Sequence, residues 1–249
     1  MATKSNFEKT VFLTLGQAAG VGVGILIPMF LSRWITVDAY GTYKQLMWMY
    51  AVLLLTVHMG MDWGLFYFIK RNPSQSAAVS LNAILVDLTL ALVIVGAGIA
   101  FAHPLSSLLE NPSLAQYLPA FGLFVLFTVP SHHFSHLLVI NERTKSAMWL
   151  MIIFESVKTL VIIGGYYFYN SLQLVLLGLA ALAFVRFSLL LAWNVSLFRE
   201  HSLNRRQMLD LLPQQLRFAW PLGLSNLLTF ILKLDRMFVS ALFGLRQFT

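Results

Sequence analysis

Apolar runs long enough to cross a bilayer recur along this sequence, near 11–31, 46–69, 79–102, 117–140, 147–169, 172–197 and 218–242. A helix needs roughly 20 apolar residues to span about 30 Å of hydrocarbon, where every backbone N–H and C=O must be satisfied within the protein. Segments such as VDLTLALVIVGAGIAFA and LQLVLLGLAALAFV are apolar on all sides rather than alternating, so they read as helices and not as barrel strands. The expected fold class is all-α, a polytopic membrane protein with these seven runs as transmembrane helices.

Composition supports that reading and excludes others. With 58% hydrophobic residues, 11% charged and a mean hydropathy of +0.75, a chain of 249 residues carries more apolar surface than a soluble domain can bury. The 20 Phe and 6 Trp do not fit a disordered chain. The absence of Cys removes disulfides, thiolate metal sites and cysteine nucleophiles. The net charge of +7 comes from Lys and Arg scattered between the apolar runs, which forms no continuous basic face for nucleic acid and instead reports topology.

The first run follows MATKSNFEKT and lacks a small-residue cleavage site, so it is expected to be retained rather than removed as a signal peptide. With the N-terminus in the cytoplasm, that side holds Lys4, Lys9, Lys70, Arg71, Arg143, Lys145, Arg199, Arg205, Arg206 and Arg217. The opposite side holds Arg33, Lys44 and Arg246, so the positive-inside bias sets this orientation. Short loops such as 141–146 and Asn170-Ser171 make neighbouring helices antiparallel. Residues 199–217 mix Arg with Leu203, Met208, Leu209, Leu211, Leu212 and Leu216, as an amphipathic segment on an anionic leaflet would. The expected organisation is a six-helix N-terminal lobe over 1–198, a cytoplasmic amphipathic linker over 199–217, and the first helix of a second lobe over 218–249. Faint self-similarity between PMFLSRWITVDAYG and RMFVSALFGLRQFT fits an internal repeat.

Ionisable groups inside the spans each cost roughly 2.5–3.5 kcal/mol on insertion scales, so they are the most informative residues. They are Asp62, Asp87, Glu155, Lys158, Arg186, Lys233, Asp235 and Arg236. A cavity holding Lys158, Arg186, Lys233 and Arg236 would attract an anion such as a phosphate or diphosphate. Against that, Glu155 and Lys158 lie three apart on one helical face and can neutralise each other, and Asp235 can do the same for Lys233 or Arg236. Arg186 has no acidic neighbour in its own span and must find a partner on another helix, in water or on a ligand. Asp62, Asp87, Glu155 and Asp235 are candidates for ion coupling, with pairing of Asp62 and Asp87 to Lys70 or Arg71 as the plainer account.

His132 and His136 share a helical face at ligand spacing beside His133, but no nearby Asp, Glu or Cys in the sequence completes a metal set. Pro130 breaks the helix ladder just before them, which favours histidines that bond to freed carbonyls or line a cavity, so no metal and no cofactor are expected. Gly16, Gly20 and Gly24, with Pro28 at the same spacing, allow close helix approach and bending. Trp34, Tyr40, Tyr43, Trp63 and Tyr67 read as interfacial anchors. No Ser and His spacing argues for hydrolase chemistry, and no catalytic residue is expected.

Two stretches carry a family resemblance. GILIPMFLSRWITVDAYGTYKQ at 24–45 and FAWPLGLSNLLTFILKLDRMFVSALFG at 218–244 resemble the first and seventh helices of polysaccharide flippases of the Wzx type, in the multidrug/oligosaccharidyl-lipid/polysaccharide exporter superfamily. The resemblance implies two six-helix lobes around a cationic cavity, with alternating access carrying a polyprenyl-diphosphate-linked oligosaccharide across the bacterial inner membrane for O-antigen or related surface polysaccharide. It further implies membrane lipids, a polysaccharide polymerase and chain-length proteins as partners. The sequence stops at Thr249, so a truncated chain that cannot transport alone is expected. The competing expectations are a cation-coupled multidrug exporter of the same superfamily and a non-transporting scaffold of glycan assembly. A membrane glycosyltransferase would need a larger loop with acidic residues than 103–116, which carries only Glu110.

Overall fold

The computed structural model describes residues 6–58, 60–200 and 205–231. They form α1 (Asn6–Trp34), α2 (Val37–Val57), α3 (Met61–Arg71), α4 (Ser76–Ala100), α5 (Ala102–Leu108), α6 (Leu114–Ser131), α7 (His133–Ile140), α8 (Thr144–Tyr169), α9 (Leu172–Glu200) and α10 (Arg205–Ile231). A single 3-10 turn, Pro73–Gln75, leads into α4, and no strand occurs among the described residues. Five helical stretches are long and apolar enough to span a membrane, or six when the bent pair α2 and α3 is taken as one span. The chain is a multi-pass, all-α membrane protein.

The spans differ from the sequence pattern in three places. The run expected over 46–69 begins at Val37, where the Thr36 hydroxyl accepts the Ala39 N–H at 3.3 Å and caps the helix, and it is divided into one helix ending at Val57 and another starting at Met61. The run over 117–140 is two helices separated at His132, two residues after Pro130. The linker and the seventh run are not separated at 217–218, because α10 continues from Arg205 to Ile231. The remainder of that run lies outside the described residues.

Between helices in lipid there is little hydrophobic driving force, so close packing at small residues takes its place. Helix α1 lies along α8, and a Cβ added at Gly16 would sit 3.2 Å from the Met148 Cα, while one at Gly20 would sit 3.3 Å from the Glu155 Cγ. The glycine stripe is therefore a packing seam at its first two positions. At Gly24 nothing lies within 4 Å, and the seam opens. Helices α8 and α9 meet the same way, with Val175 against Gly165 and Val161 against Gly178.

Two apolar clusters fill the interior. One gathers Leu31, Tyr43, Leu46, Val57, Leu114, Val125, Val129 and Leu176, and the other Met61, Leu65, Val79, Ala83, Phe134, Leu137, Ala147 and Leu190. Tyr40 and Tyr43 belong to the first at 8% and 7% exposure, so they are core residues rather than interfacial anchors; they occupy the first turns of a packed helix. Trp34, Trp63 and Tyr67 are exposed. A polar knot secures the first cluster, where the Asn111 amide donates to Thr42 Oγ1 at 3.0 Å and Gln45 Oε1 at 2.8 Å. At the other end, Asn82 donates to Gln215 Oε1 at 2.8 Å and Gln215 donates to the Val79 carbonyl at 3.0 Å, tying α10 to α4.

Candidate functional site

Both broken spans place their break between the clusters: Val57 and Val129 belong to one, Met61 and Phe134 to the other. Proline at 130 has no N–H to give, and glycine at 60 takes a left-handed backbone with φ of 80°. Polar side chains therefore gather at the two breaks, where the helical ladder is interrupted and partners are needed.

Beside them lies a cavity of about 320 Å³. Its polar wall comprises Tyr50 of α2, Thr128 and Ser131 of α6, His132, Glu155 and Lys158 of α8, and Arg186 of α9. Gly24, Ile27, Met47, Phe124 and Phe154 supply apolar surface, so the stripe on α1 opens onto this space. Arg186 donates from Nη2 to the Ser135 hydroxyl at 2.8 Å, and its guanidinium lies 5.6 Å from the Phe154 ring centre. Its buried Nε has no hydrogen-bond partner. Lys158 is paired with Glu155, one turn away on the same helix, and both remain about one-third exposed. Tyr50 Oη and His132 Nε2 are 3.0 Å apart. Two cations thus face one carboxylate across a largely apolar space, and an anion entering it would meet uncompensated positive charge at low dielectric.

A second assembly adjoins the breaks. Asp87 of α4, fully buried, places Oδ2 2.6 Å from His58 Nδ1 and 3.0 Å from His133 Nε2. Asp62 Oδ1 of α3 lies 2.8 Å from His133 Nδ1 and 2.9 Å from His136 Nδ1. The expected pairing of Asp62 and Asp87 with Lys70 or Arg71 is replaced by these histidine contacts. Lys70 is eight residues along the same helix from Asp62, about 12 Å at 1.5 Å per residue, which is beyond an ion-pair distance.

Of the residues singled out in the sequence, Lys158, Glu155 and Arg186 are brought together at the cavity, and Asp62 and Asp87 are joined through His133. Lys233, Asp235 and Arg236 lie outside the described residues. His58, Tyr50 and Ser135 were not singled out. The only local sign of His58 is the glycine two residues later, whereas Tyr50 and Ser135 carry no sign apart from their partners on other helices.

A family model described as polysaccharide biosynthesis protein matches residues 7–247 of the chain. No curated protein and no solved structure matches it.

Proposed function

Because the chain belongs to the polysaccharide biosynthesis protein family, the family of Wzx-type flippases, we propose that it is a flippase for a lipid-linked oligosaccharide. In this reading it moves a polyprenyl-diphosphate-linked glycan across the bacterial inner membrane during surface polysaccharide assembly, with its N-terminus in the cytoplasm. The observation that carries the proposal is Arg186, a half-buried arginine on a cavity wall whose buried Nε donor is left unpaired. A diphosphate supplies the acceptors that this donor lacks, and Lys158 adds a second cation once Glu155 no longer holds it alone. Lys233 and Arg236 are proposed as further contacts to the same headgroup. The apolar part of the wall suits the sugar-proximal end of a lipid better than a free, fully hydrated anion.

The full chain, purified and reconstituted in nanodiscs, tests this by binding of a polyprenyl-diphosphate-linked oligosaccharide. Loss of a charge-assisted hydrogen bond, about 1.5–3 kcal/mol, makes Arg186→Gln roughly 10- to 100-fold weaker. A polyprenol-linked glycan without the diphosphate should bind wild type and variant alike. Equal affinity of wild type and variant for the diphosphate lipid would remove the role assigned to Arg186 and favour a scaffold.

A further inference from the structure

The histidines and carboxylates at the two helix breaks are not explained by binding an anion. His58, Asp62 and His133 each offer one donor atom, and these three atoms lie within 4.8 Å of one another. From this convergence we propose a binding site for a divalent transition-metal ion of the zinc class, with His58, His133 and Asp62 as ligands, His136 beside Asp62 as the fourth, and Asp87 as the carboxylate that orients the buried His58 imidazole.

The assignment follows from which nitrogen is already engaged. Asp87 Oδ2 faces Nδ1 of His58 and Nε2 of His133, at 2.6 and 3.0 Å. His58 Nδ1 is then the N–H donor to Asp87, and the opposite nitrogen of that ring, Nε2, carries a lone pair, is buried and has no hydrogen-bond partner. His133 presents Nδ1 to Asp62 at 2.8 Å, while its buried Nε2 lies beside Asp87 without a hydrogen bond. His58 itself is 7% exposed, so the unpartnered atom is withheld from solvent as well. A carboxylate holding the remote nitrogen of a metal-binding histidine fixes its tautomer and raises its basicity, and Asp87 is placed to do this for His58.

Charge and access agree with the assignment. Asp62 and Asp87 contribute two negative charges to a mostly buried group, and their ion-pair partners among the described residues are histidines, not Lys or Arg. A dication bound to neutral imidazoles balances both carboxylates. Imidazole nitrogen with carboxylate oxygen, and no thiolate, is a donor set for zinc and its neighbours rather than for calcium or magnesium. Asp62 and His136 keep 24% and 32% side-chain exposure, so an ion can reach the group from that side, while His133 and Asp87 close it on the other. The ligands come from the α2–α3 break, from α3 and from α7, so a bound ion would cross-link the two broken spans where their backbone ladders are interrupted.

The test uses the full chain without a polyhistidine tag, solubilised in detergent and stripped of metal with a chelator. Zn²⁺ titrated calorimetrically should bind with one saturable equivalent, and Co²⁺ should develop the visible absorption of a four-coordinate centre. Asp62→Asn and His136→Gln lie on the accessible side, and each should weaken Zn²⁺ binding at least tenfold without changing the elution volume. Asp87→Asn should weaken it by roughly 10- to 100-fold, as loss of an orienting carboxylate does. His103→Gln, on α5 and outside the group, should leave it unchanged. Absence of saturable binding, or binding that Asp62→Asn and His136→Gln leave intact in protein eluting like wild type, would overturn the site and leave a hydrogen-bonded network only. Because the readout is metal alone, failure here leaves the flippase proposal standing, and failure of glycan binding leaves this one standing.

Discussion

Replacing Gly60 by Ala tests whether the break between α2 and α3 is set by backbone geometry. Gly60 has φ of 80°, a conformation that costs an L residue roughly 1–2 kcal/mol. Its added Cβ would lie 2.6 Å from the Leu222 Cβ and 2.8 Å from the Ala219 carbonyl oxygen of α10. The carbonyl is helix backbone and cannot rotate aside, so the neighbour must shift, at about 1–3 kcal/mol for overpacking. Together these give about 2–5 kcal/mol of destabilisation, centred where α10 meets the break. Four residues on, Gly64→Ala is the internal control: its Cβ would find only Phe218 Cδ1 at 3.9 Å, an ordinary contact, and a helical Gly to Ala change favours the fold by about 0.5–1 kcal/mol. The assay is the apparent unfolding temperature in detergent, followed by size-exclusion recovery after heating. Gly60→Ala should fall well below wild type while Gly64→Ala equals or exceeds it. Equal behaviour of the two variants would refute the close approach of Gly60 to α10.

Three further outcomes follow from the packing. Tyr50→Phe removes the 3.0 Å contact with the half-buried His132 ring, lowering stability by about 0.5–1.5 kcal/mol in the same thermal assay. Asn111→Ala removes two buried hydrogen bonds, to Thr42 and Gln45, at about 0.5–1.5 kcal/mol each, and should be the more damaging of the two. Lys9 lies 3.1 Å from Glu142 and holds this exposed carboxyl below its usual range. A depressed folded-state pKa contributes stability that is present above the unfolded value and is lost as pH falls through the folded one. Glu142→Gln should therefore show its small deficit in unfolding temperature at neutral pH and match wild type in acid; a deficit that grows in acid would contradict this.

The helical class was legible because all-round hydrophobicity over more than twenty residues admits no other solution in lipid. The break after Pro130 was legible from the missing N–H, although Pro28 and Pro119 stay inside α1 and α6, whereas the break at Gly60 was not, since a single glycine within an apolar run carries no such signal. Lys158 and Glu155 were recognisable as a pair because one helical turn determines their proximity. The His58 and Asp87 contact joins residues 29 apart on different helices, and only the packing of α4 against the α2–α3 break brings them together. The same holds for Asp62, whose partners on α7 are more than seventy residues away, while nearby lysine and arginine invited a local pairing that helix rise forbids. His133 was visible as one of three clustered histidines, but its carboxylates were not visible beside it in the sequence.

The central claim is that the lipid-linked glycan passes through the cavity beneath Arg186, and photo-crosslinking in cells tests it most directly. A benzophenone amino acid is placed at Phe154, which lines the cavity 5.6 Å from the Arg186 guanidinium, and separately at Leu160, which is 68% exposed on the outer surface of the same helix. The account predicts a glycan-bearing adduct at position 154 that is lost when Arg186→Gln is added, with none at 160 beyond bulk lipid. An adduct that forms equally at both positions, or that survives at 154 without Arg186, would contradict it.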